Sequence, residues 1–253
     1  MHDTAYEIGR KFFEIYVKAS SSTTIVEIGA FDVNGALRDF CPHAAHYLGL
    51  DFDHGPGVDI VIRSNEPLPL RSQFADIVIS SSQMEHDPFF WKTFLELLRI
   101  LKSDGLLYLN VPSNGSFHRY PTDCWRFYPD AGKVLEAWGR ENGHKLVLVE
   151  SFLAERNTDQ WNDFVAVFQK TDDIVDTDRA FLWELIASVN VRSWKTDEIQ
   201  RMRVSSEDMT IIDRLTTELS SAREEISKLS AEIARLEERL TEERAVKERT
   251  SGD

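Results

Sequence analysis

The chain has 253 residues, 42% of them hydrophobic, enough for one or two domains with a full core. Its net charge of −14 works against a nucleic-acid partner, because a phosphate backbone repels an acidic surface; the one small basic pair, Arg119 with Arg126, makes no groove. No apolar run reaches the ~18–20 residues that cross a bilayer, residues 1–20 carry acids where a signal sequence needs an apolar stretch, and Cys41 and Cys124 alone give neither a disulfide framework nor a metal pattern, so a reduced cytoplasmic setting, with no transmembrane segment and no metal, is expected.

Residues 5–19 place Phe12, Phe13 and Tyr16 at helical spacing. TTIVEIG (23–29) reads as a buried strand that ends on an acid and a glycine, and VNGALRDFC (33–41) as the helix after it. AHYLGLD (45–51) and VDIVI (58–62) are a second and third strand, and FADIVISS (74–81) a fourth. A helix over 88–102 carries Phe90, Phe94, Leu97, Leu98 and Leu101 on one face. GLLYLNVP (105–112) is a fifth strand, and a helix over 130–143 is stopped by Gly143. KLVLVESF (145–152) and DFVAVFQK (163–170) are too close for a helical crossover and are expected to be antiparallel neighbours. Alternating strands and helices predict an α/β, Rossmann-like fold: a seven-stranded, mostly parallel sheet with an antiparallel last strand and helices on both faces.

The character changes near residue 171. Residues 180–194 read as one more helix and RMRVSSEDM (201–209) as a polar joint. From Ile212 the apolar residues then step 3, 4, 3, 4 without a break to Leu240, with Ile212, Leu219, Ile226, Ile233 and Leu240 on one seam position and Leu215, Ala222, Leu229 and Leu236 on the other. This heptad pattern predicts a coiled coil, and Ile at a with Leu at d favours two parallel strands. Glu218 at g then faces Arg223 at e of a second chain. The expected organisation is 1–171 catalytic, 172–206 helical extension and linker, and 207–249 coiled coil, self-associating through 212–240.

The turn after the first strand indicates the ligand class. A dinucleotide site needs G-x-G-x-x-G to lay a pyrophosphate on a helix N-terminus. Here Gly29 is followed by no glycine until Gly35, and the carboxylates of Glu27 and Asp32 repel an anion. They suit a cationic ligand instead, such as S-adenosylmethionine with its sulfonium and ammonium. Asp51, ending the second strand some twenty residues on, stands where a ribose is held in such folds.

VEIGAFDVNG, YLGLDFDHGPGVDIV, FADIVISSSQMEHDP and LLRILKSDGLLYLNVPSN, in that order, resemble the motifs of the class I S-adenosylmethionine-dependent methyltransferases, of the type 11 kind, over residues 20–170. The resemblance implies the methyltransferase fold, S-adenosyl-L-methionine as cofactor, and donor contacts from Glu27, Gly29, Ala30, Asp32, Asp51, Phe52, Ser81 and Glu85. It departs from the family after the third strand, where the usual acid is replaced by Arg63, Ser64 or Asn65, leaving the adenine contact unassigned.

The acceptor side is read from two places. QMEHDP sets Glu85 and His86 beyond the fourth strand, and NGSFHRYPTDCWRFYPD (114–130), dense in aromatic and ionisable residues, follows the fifth. His118 or His86 is the expected base, with Asp123 orienting an imidazole. Arg119, Tyr120, Trp125 and Arg126 are the expected acceptor contacts, although Trp125 and the Asp123–Arg126 spacing fit a structural role equally. The loop HRYPTDCWRFYPD also resembles methyltransferases found with bacterial surface-polysaccharide enzymes, and a methyltransferase joined to a coiled coil resembles enzymes that cap glycan chains. The resemblance implies O-methylation of a glycan or nucleotide-sugar acceptor, with a glycosyltransferase as partner and peripheral placement at the inner membrane face through that partner. The competing expectations are a small-metabolite methyltransferase with a dimerising coil and a non-catalytic coiled-coil scaffold. An NAD-dependent oxidoreductase is disfavoured by the glycine spacing.

Overall fold

The computed structural model describes residues 2–18, 20–63, 65–173 and 178–250. The chain divides into two units after Met202. The first unit is built on one nine-stranded sheet: β1 (Thr24–Ile28), β2 (His46–Asp51), β3 (Ile60–Val61), β4 (Ala75–Ser81), β5 (Leu101–Pro112), β6 (Val147–Ala154), β7 (Asp163–Gln169), β8 (Ser188–Ser193) and β9 (Thr196–Gln200), in the spatial order β3-β2-β1-β4-β5-β7-β6-β8-β9. The first five strands run parallel to one another. β7 runs antiparallel to both β5 and β6.

Strands covered on both faces read as near-continuous apolar runs; β1, β4 and β7 are buried almost throughout, on Ile25, Val26 and Ile28, on Ile77–Ile79 and on Phe164–Phe168, with polar residues towards the strand ends. One face packs Phe94, Leu97 and Leu98 of α2 (Phe90–Ile100) and Leu135 of α3 (Ala131–Glu141) against Val26, Val78, Leu107 and Phe168. The other packs Ile8, Phe12, Phe13 and Tyr16 of α1 (Asp3–Tyr16) against Ile25, Ile79, Tyr108 and Val165. Two cores therefore hold the sheet, and its parallel strands all deliver their C-terminal ends, with the loops that follow, to one edge.

Three expectations are corrected. The helix over 33–41 is only a 3₁₀ turn, Leu37–Phe40. Asn34 and Gly35 occupy its first turn, Gly35 has φ +110°, and Pro42 follows closely, so too few residues remain to nucleate an α-helix. The helix over 180–194 is absent: a 3₁₀ turn, Leu182–Glu184, leads into β8 and β9. SVNVRS has β-branched residues in alternation, and pairing with β6 covers an edge that would otherwise stay open. The sheet accordingly has nine strands rather than seven, and residues 182–200 of the expected helical extension form a 3₁₀ turn and two strands.

The 3₁₀ turn is tied to the sheet by Glu150. Its buried carboxyl accepts hydrogen bonds from the Tyr16 hydroxyl, Leu182 N–H (3.0 Å) and Trp183 N–H (3.2 Å). The second unit is α4 (Glu207–Thr250), one helix of 44 residues, about 66 Å long. Ile212, Leu219, Ile226 and Ile233 of one seam position and Leu215, Leu229 and Leu236 of the other are all exposed.

Candidate functional site

The C-terminal edge of β1, β2, β4 and β5 encloses a cavity of about 390 Å³, within the range of small-ligand sites. Its floor is the glycine turn after β1. Gly29 and Ala30 N–H both donate to Leu50 O, at 2.9 and 3.2 Å, which ties the turn to the end of β2. Gly29 has φ +86°, and a Cβ there would lie 2.8 Å from Gln83 Cβ, so this position admits only glycine without displacing β4's loop. Asp51 closes the turn from the next strand: Phe31 N–H donates to its Oδ2 at 3.0 Å and Phe52 N–H to its Oδ1 at 2.6 Å.

Glu27, 2% exposed, sits beneath this turn and accepts the Tyr47 hydroxyl at 2.7 Å. Tyr47 lies under the Arg38 guanidinium, 5.0 Å from its ring centroid. Arg38 in turn pairs with Asp59, whose Oδ2 accepts Gly49 N–H at 2.8 Å. Burial pushes the Glu27 carboxyl up to about 7, against the Tyr47 hydrogen bond and the Arg38 charge; Asp51 and Asp32 add to the rise. The three acids make this end of the cavity attractive to a cation.

The opposite wall comes from the loops after β4 and β5. Glu85 is buried, and burial pushes its carboxyl up to about 8. His86 Nδ1 contacts Thr122 O, a bond in which only N–H can donate, so Nε2 carries the lone pair; it lies 3.6 Å from Glu85 Oε1. Burial lowers the His86 pKa, leaving the ring neutral near pH 7. The His118 ring meets His86 edge-on at 4.9 Å and Trp161 at 5.0 Å. Cys124 and Trp125 N–H both donate to Glu85 O, at 2.7 and 3.2 Å, which docks the 114–130 loop onto this wall.

Of the residues singled out from sequence, Glu27, Gly29, Ala30, Asp51, Phe52, Ser81, Glu85, His86, His118 and Tyr120 line the cavity. The others stand elsewhere. Asp32 Oδ1 accepts Gly35 N–H at 2.8 Å and shapes the turn. Asp123 and Arg126 form a two-pronged pair at 2.5 and 2.9 Å, and the guanidinium also donates to Asn114 O and Ser116 O; this pairing holds the Asp123 carboxyl down at about 2. Asp123 Oδ2 accepts His118 N–H at 2.8 Å, fixing the main chain of that histidine. Trp125 donates its indole N–H to Asp87 O at 2.9 Å and packs edge-on against Phe90 and Trp91. Arg119 is exposed outside the cavity lining. Ser64 lies outside the described residues.

Lining residues not singled out from sequence include Gln83, Trp161 and His2. Trp161 precedes β7, which starts where β5 ends because the two are antiparallel, with Pro112 opposite Asp163. The expected antiparallel strand therefore already implied that 155–162 reaches the ligand edge. His2 is placed by two hydrogen bonds to Asp163, at 2.8 and 2.9 Å. A smaller hollow of about 160 Å³ shares Ile28, Phe52, Ile62 and Gln83 with the cavity and adds Arg63 and Asn65.

Residues 19–109 match the methyltransferase domain family model. Those residues form a methyltransferase domain. No curated protein matches the sequence. Among solved structures, the chain is similar to the 1,6-didemethyltoxoflavin-N1-methyltransferase of Burkholderia thailandensis, solved with 1,6-didemethyltoxoflavin and S-adenosylhomocysteine: 15% identity, TM-score 0.52, over 66% of this chain and 79% of that one. It is similar also to the [4+2]-cyclase SpnF, at 12% identity and TM-score 0.50, over 66% of this chain and 81% of that one. Likeness at these identities shows the fold, and the second name shows that the fold alone does not dictate the chemistry.

The methyltransferase domain's cavity fits S-adenosylmethionine on its own terms. The buried Ser81 Oγ, Ser82 Oγ and Gln83 Nε2 have no hydrogen-bond partner in the folded chain, and such groups call for a polar ligand. The site offers a cradle without Cβ at Gly29 and acids at the same end for a cationic donor. Below pH 7 Glu27 carries a proton that a cation must displace, so binding weakens as pH falls through that value. Titrating S-adenosylmethionine calorimetrically at pH 7.5 and pH 6 should give a Kd roughly eightfold weaker at pH 6, a dependence that Glu27→Gln removes. An affinity that is flat with pH in the wild type would show that Glu27 does not face the donor's charge.

Proposed function

We propose that this methyltransferase O-methylates a sugar hydroxyl of a bacterial glycan or nucleotide-linked sugar, in synthesis of O-antigen or capsule type. The observation that carries the reading is the division of one cavity into an acidic end, Glu27 with Asp51, and an imidazole-bearing end, His86 with His118, rimmed by Tyr120 and Trp161. In this reading Asp51 holds the ribose hydroxyls, with Phe52 beside the adenine. The Gly29–Ala30 turn holds the amino-acid portion above Glu27, and Ser81 with Glu85 walls the methyl-bearing centre. The adenine edge enters the smaller hollow, where Asn65 supplies a neutral hydrogen-bonding side chain in place of the usual acid. Aromatic rings beside hydrogen-bonding groups suit a sugar, whose faces are apolar and whose edges are hydroxylated.

The reaction needs little from the protein beyond position, since the sulfonium already activates the methyl. An acceptor oxygen attacks that methyl, the O–C bond forms as the S–C bond breaks, and the donor leaves as a neutral thioether. The hydroxyl proton goes to His118 or His86; the free Nε2 and neutral ring of His86 suit it to this task. Asp123 is a positioning residue for His118. Arg119, exposed outside the cavity lining, and Tyr120 meet the acceptor beyond its reacting ring, whereas Trp125 and Arg126 act through the loop they hold.

The second reading, a methyltransferase for a small metabolite, is separated by the acceptor. Release of S-adenosylhomocysteine should be stimulated by nucleotide-linked sugars or glycan oligosaccharides and by few free metabolites; stimulation by non-sugar metabolites alone would reject the glycan reading. A folded chain that binds donor but turns over with no acceptor would favour the scaffold reading.

The exposed heptad seam of α4 supports self-association through residues 212–240, which span about 42 Å, as a parallel pair. A coil of that length dimerises the catalytic units or spaces them from a glycosyltransferase partner at the inner membrane face. Replacing Ile226 and Ile233 with Asp should halve the mass measured by light scattering without changing the unfolding of residues 1–202. An unchanged mass contradicts the coil.

A further inference from the structure

One carboxylate in the cavity wall has an oxygen that the donor and acceptor roles leave unused. Glu85 is 1% exposed, and its Oε2 has no hydrogen-bond partner. Its neighbours are two imidazoles. Glu85, His86 and His118 each present one ligand atom, and these atoms lie within 4.8 Å of one another. Main-chain carbonyls orient both rings: His86 Nδ1 faces Thr122 O, and His118 Nδ1 lies 3.3 Å from Ser116 O and 3.4 Å from Asp123 Oδ2. Each ring thus keeps Nε2 as its lone-pair nitrogen, the arrangement in which a ligating histidine donates its other N–H to a supporting oxygen.

We propose that Glu85, His86 and His118 bind a divalent transition-metal cation at the acceptor end of the cavity. The donor set decides the metal class: two imidazoles and one carboxylate suit Zn²⁺, Fe²⁺, Co²⁺ or Ni²⁺, whereas Mg²⁺ and Ca²⁺ prefer oxygen throughout. Three protein ligands leave coordination positions open, as in sites that take a substrate oxygen. The surrounding charge permits it: Asp123 and Asp163 add negative potential at Glu85, and the opposing guanidinium of Arg126 is paired with Asp123. Metal–ligand bonds of ~2.1 Å set the ligand atoms roughly 3.3 Å apart, so ligation draws the His118 loop inward by about 1 Å.

A cation here changes the use of the histidines. They become ligands, and the acceptor hydroxyl, bound at an open position, loses its proton to water before the oxygen takes the methyl. That use rests on the methyl-transfer reading; the binding does not.

The test uses the full-length protein stripped with a chelator and titrated with CoCl₂, followed by the visible d–d absorption of the bound ion. One Co²⁺ per chain is expected. Loss of a direct ligand should exceed the roughly 10–100-fold that losing a supporting partner costs, so His118→Ala, on an accessible loop, should weaken binding at least tenfold, as should Glu85→Gln if circular dichroism shows it folded. No saturable Co²⁺ binding in the wild type, or binding of equal strength in His118→Ala, would overturn the proposal. Titrating S-adenosylhomocysteine into the same variant reports on the donor end separately, so failure of the metal site is distinguishable from failure of the methyl-transfer reading.

Discussion

A carboxylate removed from water lies under the whole site. Glu27 ends the most central part of the parallel sheet, and its burial forces the surrounding structure to answer for a charge that would otherwise be costly. The answer is a relay across β1 and β2: Tyr47 donates to Glu27, Arg38 covers Tyr47, Asp59 fixes Arg38, and Asp59 is itself held by the N–H of Gly49, the residue that pairs with Glu27 across the two strands. Gly49 is needed at this crossing, since a Cβ there would lie 2.1 Å from Gly57 O. The relay offsets burial only in part, and the unresolved remainder of the charge balance is what a cationic ligand can supply.

Everything else at the site follows from strand direction. Five parallel strands end at one edge, so the turn after β1, the acid ending β2, and the loops after β4 and β5 converge without long-range design. The antiparallel β7 then reverses the rule and brings a loop that precedes a strand to the same edge. This is how Trp161, and through Asp163 also His2, come to face residues far away in sequence. The 114–130 loop is not free at that edge. Its contacts with the carbonyls of Glu85, His86 and Asp87, and the Asp123–Arg126 clasp, hold His118 against His86.

What was legible in the sequence was whatever has a local pattern. The buried run ending in Glu27 and Gly29, the strand-end Asp51 and the hairpin of β6 and β7 all carry signals within a few residues. The helix at 33–41 was misread because apolar spacing says nothing of length, and Gly35 with Pro42 leaves too little chain. Residues 180–194 were misread because spacing of Phe181, Leu182 and Leu185 fits a helix, while the open edge of β6, a tertiary fact, recruits the segment as a strand. Asp32 and Arg126 were read as ligand contacts because charge in a functional loop looks the same whether it meets a ligand or the loop's own backbone. Gln83 carried no signal: its Oε1 accepts from Ser80 Oγ, and its importance comes from the absence of a partner for its amide nitrogen, which only the packed structure reveals.

The account stands on the donor end of the cavity, and S-adenosylmethionine titrated into wild type and Asp51→Ala tests it most directly. It predicts one saturable site per chain, weakened by about tenfold or more on losing the carboxylate, or roughly 1.4 kcal/mol, with the fold intact by circular dichroism. Equal affinity in the two proteins, or no binding to either, would contradict it.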